Sequence, residues 1–167
     1  MPDMSRRAFL RGAVLSKEHQ FLGPMPPWLG EVAAETCRAC PGFCLEACGE
    51  GVIRRHPEGH ALAGAPYLSF REGGCTFCGD CAGACPQGVP RGRPRIGTAV
   101  LHRERCLAWN RVICMGCMGR CPEGAIVLDE RRRPFLLEER CTGCGMCISP
   151  CPTAAIAISF NHNGRFT

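Results

Sequence analysis

The chain has 167 residues, enough for one ordinary domain or two small ones. Its 20 Lys and Arg against 15 Asp and Glu give a formal charge of +5, with Lys17 the only lysine. No nucleic-acid-binding motif accompanies the arginines, and no apolar run approaches the roughly twenty residues that cross a bilayer as a helix.

In chain order, residues 1–30 hold no cysteine and carry Ser5-Arg6-Arg7-Ala8-Phe9-Leu10, which looks like a twin-arginine export motif. An export signal continues with an apolar stretch, whereas here Arg11, Lys17, Glu18 and His19 follow. The segment therefore reads as an amphipathic helix that docks on its own fold or on a partner, with Arg6, Arg7 and Phe9 as candidate partner contacts. Pro26-Pro27-Trp28 reads as an extended tether, with Trp28 either a further partner anchor or a side chain packed on the first module.

Sixteen cysteines follow in four groups of four: Cys37, Cys40, Cys44 and Cys48; Cys75, Cys78, Cys81 and Cys85; Cys106, Cys114, Cys117 and Cys121; Cys141, Cys144, Cys147 and Cys151. The second and fourth read CxxCxxCxxxCP, the run with which bacterial ferredoxins hold [4Fe-4S] clusters. Three closely spaced thiolates take three corners of a cubane, and in two-cluster ferredoxins the last Cys of each run serves the other run's cluster. Pairing adjacent groups closes four sets: Cys37, Cys40 and Cys44 with Cys85; Cys75, Cys78 and Cys81 with Cys48; Cys106, Cys114 and Cys117 with Cys151; and Cys141, Cys144 and Cys147 with Cys121. A zinc ion needs two CxxC pairs and has no use for a third step, and a disulfide scaffold suits small secreted chains.

Two groups depart from this spacing. Group one reads CxxCxxxCxxxC with Gly49 where the others have Pro. As one helix it would put its cysteines on a shared face, but Pro41-Gly42 breaks helices and favours a turn, so it reads as a cluster loop with one residue added. Group three is stretched to Cx7C by Leu107 to Ile113, which lengthens a loop and leaves its four thiols in place.

After the last Cys of groups one, three and four, Val52-Ile53, Ala125–Leu128 and Ala154–Ile158 read as short strands. Asp129 to Arg133 reads as a hairpin turn returning through Pro134–Leu137, its three arginines facing an acidic partner or solvent. Group two runs instead into the breaker-rich, basic stretch Gln87 to Arg95. The expected architecture is a small, loop-rich α+β fold of two tandem bacterial-type 2[4Fe-4S] ferredoxin modules. Residues 1–30 form a partner-docking segment, 31–87 the first module, 88–104 a basic linker, 105–160 the second module and 161–167 a tail. Modules this small draw much of their folding free energy from metal. Four clusters at about −2 each would turn the formal charge into about −3. The histidines are scattered without ligand spacing.

The order of the four groups, Ser-Arg-Arg near the start, Pro-Pro-Trp before group one, Cys106-Leu107-Ala108-Trp109 opening group three and Cys141-Thr142-Gly143-Cys144-Gly145 opening group four resemble NapF-type ferredoxins over nearly the whole chain. These are the small iron–sulfur proteins encoded with periplasmic nitrate reductases, and the residue added in group one departs from their usual pattern. The resemblance implies a cytoplasmic protein that interacts with the catalytic subunit of the periplasmic nitrate reductase. It would assist that subunit's maturation before export, by electron delivery or cluster assembly. The residues by themselves also fit a soluble ferredoxin carrying electrons to another redox protein in anaerobic respiration, or a structural interaction module. With no nucleophile elbow, paired catalytic carboxylates or dinucleotide fingerprint, the expectation is not an enzyme.

Overall fold

A computed structural model describes residues 22–29, 34–88 and 95–160; Arg6, Arg7, Phe9 and the 161–167 tail lie outside the described residues. Glycines and prolines within and between the cysteine runs leave room only for short elements. Among the described residues three α-helices, α1 (Ala34–Ala39), α2 (Phe43–Glu46) and α3 (Asp80–Gly83), accompany six strands: β1 (Ile53–Arg55), β2 (Pro66–Leu68), β3 (Thr98–Leu101), β4 (Ile126–Leu128), β5 (Pro134–Leu136) and β6 (Ile156–Ser159). The strands pair antiparallel as β1–β2, β4–β5 and β3–β6.

The strands expected after groups one, three and four are β1, β4 and β6, and the return strand of the hairpin is β5. Its turn is closed by Asp129, whose carboxylate accepts the N–H groups of Arg131 and Arg133 at 3.0 and 2.7 Å. The 88–104 stretch, read as linker, contains a strand of the second module. Thr98–Leu101 pairs with β6 in the register Ala99↔Ile158 and Leu101↔Ile156. Just before it, Ile96 is buried and its N–H donates to Thr142 O at 3.0 Å. The breakers at Gly92 and Pro94 hide this strand from a local reading, because its partner lies at the far end of the module.

Trp28 is corrected as a partner contact. It is 6% exposed and meets Phe77 edge-on at 6.2 Å. The Leu68 N–H donates to Pro24 O at 2.6 Å, which lays residues 22–29 along β2 and delivers Pro26, Trp28 and Leu29 into the core. Burial of each large apolar side chain contributes about 1.5–3 kcal/mol.

One apolar cluster gathers Trp28, Ile53, Leu68, Phe70 and Ile96, and a second gathers Ala99, Ile126, Cys147 and Ile156. Ile148 and Ile158 pack against both, so the cores of the two modules are continuous. At the joint the Cys75 N–H donates to Cys144 O at 2.7 Å. A Cβ at Gly74 would stand 2.5 Å from Met146 N and 2.7 Å from Cys144 O, so only glycine lets these two backbones meet.

Candidate metal centres

The four thiol sets are assembled by short-range turns within each run and by packing between runs. In group two, Phe77 at φ 57° and Gly79 at φ 84° turn the chain between its cysteines, and α3 then carries Cys81. Cys75, Cys78 and Cys81 line an apolar cavity with Cys48 of group one. Group four turns through Gly143 at φ 74° and Gly145 at φ 79°. Its Cys141, Cys144 and Cys147 line a second cavity with Cys121 of group three.

Group one reaches the same result differently. Cys37 is on α1, the helix stops before Pro41, and Gly42 at φ 103° starts α2, which carries Cys44. Gly42-Phe43-Cys44 matches Gly79-Asp80-Cys81 in position and in the left-handed glycine before the helix, which identifies Pro41 as the added residue. Cys37, Cys40 and Cys44 line a cavity with Cys85. Arg55 donates to Cys40 O at 2.6 Å and Arg38 to Ala63 O at 3.2 Å, tying both ends of the loop to the chain behind it.

In group three the inserted residues fold over Trp109. Its ring lies between the guanidinium groups of Arg103 and Arg133, at 4.2 and 4.3 Å, and meets Phe135 edge-on at 5.2 Å. Its indole N–H donates to Pro134 O at 3.1 Å, and the Asn110 side-chain amide donates to Cys106 O at 2.8 Å. The insertion thus returns the chain to Cys114. Burial, followed by the backbone N–H at Cys117 in the opposite sense and the charges of Cys106, Cys114 and Cys151, leaves the Cys117 thiol raised to about 11. Those four thiols stand together.

Burial first, and neighbouring thiols after it, push Cys44 up to about 11 and Cys81 and Cys147 up to about 12. Cys151 is held below its ordinary value: burial raises it, but the N–H groups of Ala155 and Thr153 outweigh that. Backbone N–H groups also point at sulfur from Phe77 to Cys75 at 3.4 Å, Ala99 to Cys141 at 3.3 Å and Ala125 to Cys121 at 3.2 Å. Four thiolates this close repel one another unless a cationic core lies between them. All sixteen cysteines are free, and each set draws its four thiols from two cysteine runs. The donor sets therefore fit a multi-atom iron–sulfur core.

The four sets form a row. The Cys44 thiol acts on Cys81, linking the first set to the second. Cys144 acts on Cys75 across the joint. Cys121, from the run that carries Cys114 and Cys117, belongs to the set around Cys147. The sets containing Cys37 and Cys114 are the two ends. Sequence reasoning reached the cysteines and met Trp109 only as part of a motif, without its role, and it missed Arg55 and the 56–65 excursion between β1 and β2, which carry no ligand spacing.

The family model for the 4Fe-4S dicluster domain matches residues 36–89 and 110–155. The chain is similar to the ferredoxin-type protein NapF of Escherichia coli K12, 31% identical over 168 residues, covering 96% of this chain and 97% of the relative. It is also similar to NapF of Haemophilus influenzae, 32% identical over 94% of each chain. The methylamine utilization ferredoxin-type protein MauM of Methylorubrum extorquens is 36% identical over 73% of this chain and 64% of its own. Among the described residues no helix is long and apolar enough to cross a membrane.

Proposed function

The chain belongs to the NapF ferredoxin-type proteins and carries two 4Fe-4S dicluster domains, and from that premise we propose that it holds four [4Fe-4S] clusters and assists maturation of the periplasmic nitrate reductase catalytic subunit in the cytoplasm. The observation that carries the cluster assignment is the gathering of four thiol sets, each drawn from two cysteine groups. The ligand sets are Cys37, Cys40, Cys44 and Cys85; Cys48, Cys75, Cys78 and Cys81; Cys106, Cys114, Cys117 and Cys151; and Cys121, Cys141, Cys144 and Cys147. When bound, such clusters accept and release single electrons. The chain supplies thiolates, N–H groups aimed at sulfur and apolar walls that limit water, the features that tune such a centre.

The proposed role is electron delivery to, or cluster assembly in, the immature catalytic subunit, without catalysis by the chain itself. The relatives named NapF support this reading. Anaerobic co-purification with the catalytic subunit, together with reduced reductase activity in a strain lacking the chain, is the expected result. No association and full reductase activity in that strain would sink the role. About 16 iron atoms per chain test the clusters separately.

A second reading, a soluble electron carrier in anaerobic respiration, is favoured by the row of four sets. Reversible reduction coupled to a physiological donor, with normal reductase maturation in the deletion strain, would select it.

A further inference from the structure

We propose that the surface formed by the group-three insertion and the β4–β5 turn is a docking face for an acidic redox protein with an apolar contact centre. This rests on the reading of Cys106, Cys114, Cys117 and Cys151 as a cluster site, which stands at one end of the row. Ile113, immediately before Cys114, is 91% exposed, with Val112 and Met115 about half exposed beside it. Arg111, Arg131 and Arg132 line the same cavity as these three and Cys114.

Three observations separate this patch from an ordinary solvated face. A side chain exposed as fully as Ile113 leaves its apolar surface in water with nothing gained for the fold. Of the two carboxylates in the turn, Asp129 is taken by Arg133 at 2.7 Å and Glu130 sits beside Arg131 without an ion pair; among the described residues no ion pair engages Arg111, Arg131 or Arg132. Arg111 and Arg132 also hold left-handed backbone, at φ 65° and 58°, where Gly or Asn would be unstrained. Strain retained at two positions of one cavity is characteristic of a functional surface.

Apolar centre and arginine rim are the composition of a protein interface, and the rim selects carboxylate-bearing partners through the planar guanidinium fork. The cluster-loaded chain has a formal charge of about −3. Attraction to an acidic partner must therefore be local to this patch.

The test uses the anaerobically purified full-length holo-protein and two probes of one fold, acidic succinylated cytochrome c and basic native cytochrome c, with binding followed by thermophoresis. The acidic form is expected to bind in low salt and to weaken as salt is raised. R131E/R132E should weaken that binding by about tenfold, the charge-matched pair R71E/R140E by less than about threefold, and I113S measurably, all with unchanged iron content. Equal losses in both charge-reversed pairs would reduce the effect to bulk charge and overturn the proposal. So would the absence of salt-sensitive binding of the acidic probe. Iron content and EPR of the wild-type protein, measured before any probe is added, decide the cluster reading independently.

Discussion

Groups one and three both depart from CxxCxxCxxxC, one by a single residue and the other by a seven-residue stretch between its first two cysteines, and the fold handles them in opposite ways. The long insertion supplies its own anchor, Trp109, which packs between Arg103 and Arg133, meets Phe135 edge-on and donates to Pro134 O, all outside the insertion. The single residue, Pro41, has no core of its own. It is accommodated by breaking a helix at Gly42 and by bracing the broken ends from outside, with Arg55 on Cys40 O and the 56–65 excursion against α1. An insertion long enough to carry a large side chain anchors itself on the fold, whereas a single added residue must be braced by side chains from elsewhere.

The comparison breaks most visibly at the clamp. Trp109→Ala should cost about 3 kcal/mol in anaerobic denaturant titrations, at the low end for an aromatic truncation because the ring is half-buried. Iron should fall from about 16 toward about 12 per chain as Cys106 and Cys114 lose their fixed separation. Wild-type stability in that variant would show that the insertion is held by something other than its tryptophan.

On the other side, the bracing of group one should be acid-sensitive. His56, at the start of the excursion, is 4% exposed, stacks on His60 at 4.2 Å, and among the described residues its Nδ1 has no hydrogen-bond partner. Burial, and then the neighbouring His60, push its pKa down to about 4 from the ordinary 6.5. The unfolded chain therefore binds the extra proton over that interval. The stability contributed by neutral His56 is present above about pH 6.5 and is lost as pH falls toward 4. Between pH 7 and 5 the wild type should lose about 2 kcal/mol more than His56→Phe. Parallel pH profiles of the two proteins would remove His56 from the bracing.

Gly42→Ala tests the break itself. The position is at φ 103° and a Cβ would run into the Arg55 guanidinium, so a loss of about 1–2 kcal/mol is expected. Gly119→Ala, with nothing within 4 Å and no left-handed requirement, should stay within about 0.5 kcal/mol. Among the substitutions at the bracing itself, the smallest effect on stability is at Arg55→Ala, about 1 kcal/mol for the bond to Cys40 O. That variant sharpens the comparison through redox titration by EPR. Arg55 is the cation acting on Cys37, so its removal should lower the midpoint potential of that set and leave the other three in place.

Much of the architecture was legible from local signals. The strands after three cysteine groups, the hairpin turned by Asp129 and the helix break at Pro41-Gly42 all depend on residues adjacent in sequence. β2 and β3 were not legible, and the burial of Trp28 was only one of two readings, for one shared reason: each depends on a partner far along the chain. β3 has the Thr-Ala-Val-Leu of a strand, but its pairing partner is β6. Trp28 and its prolines could serve a tether or a core, and the Leu68 N–H on Pro24 O decides for the core. The candidate docking face was half legible. The arginines of the β4–β5 turn stood out as a charge run, but Arg111 and Ile113 join them only because Trp109 folds the insertion back onto that turn.

By itself the sequence determined the chemistry: cysteine count and spacing are covalent facts, and thiols three residues apart in a turn can reach a common centre whatever surrounds them. Tertiary structure decided how those centres relate. Gly74 and the backbone contact from Cys75 to Cys144 set the two modules against each other, and the continuous core through Ile148 and Ile158 holds them there. The order of the row and the surface at its Cys114 end are properties of packing between distant segments, which no spacing within a single run encodes.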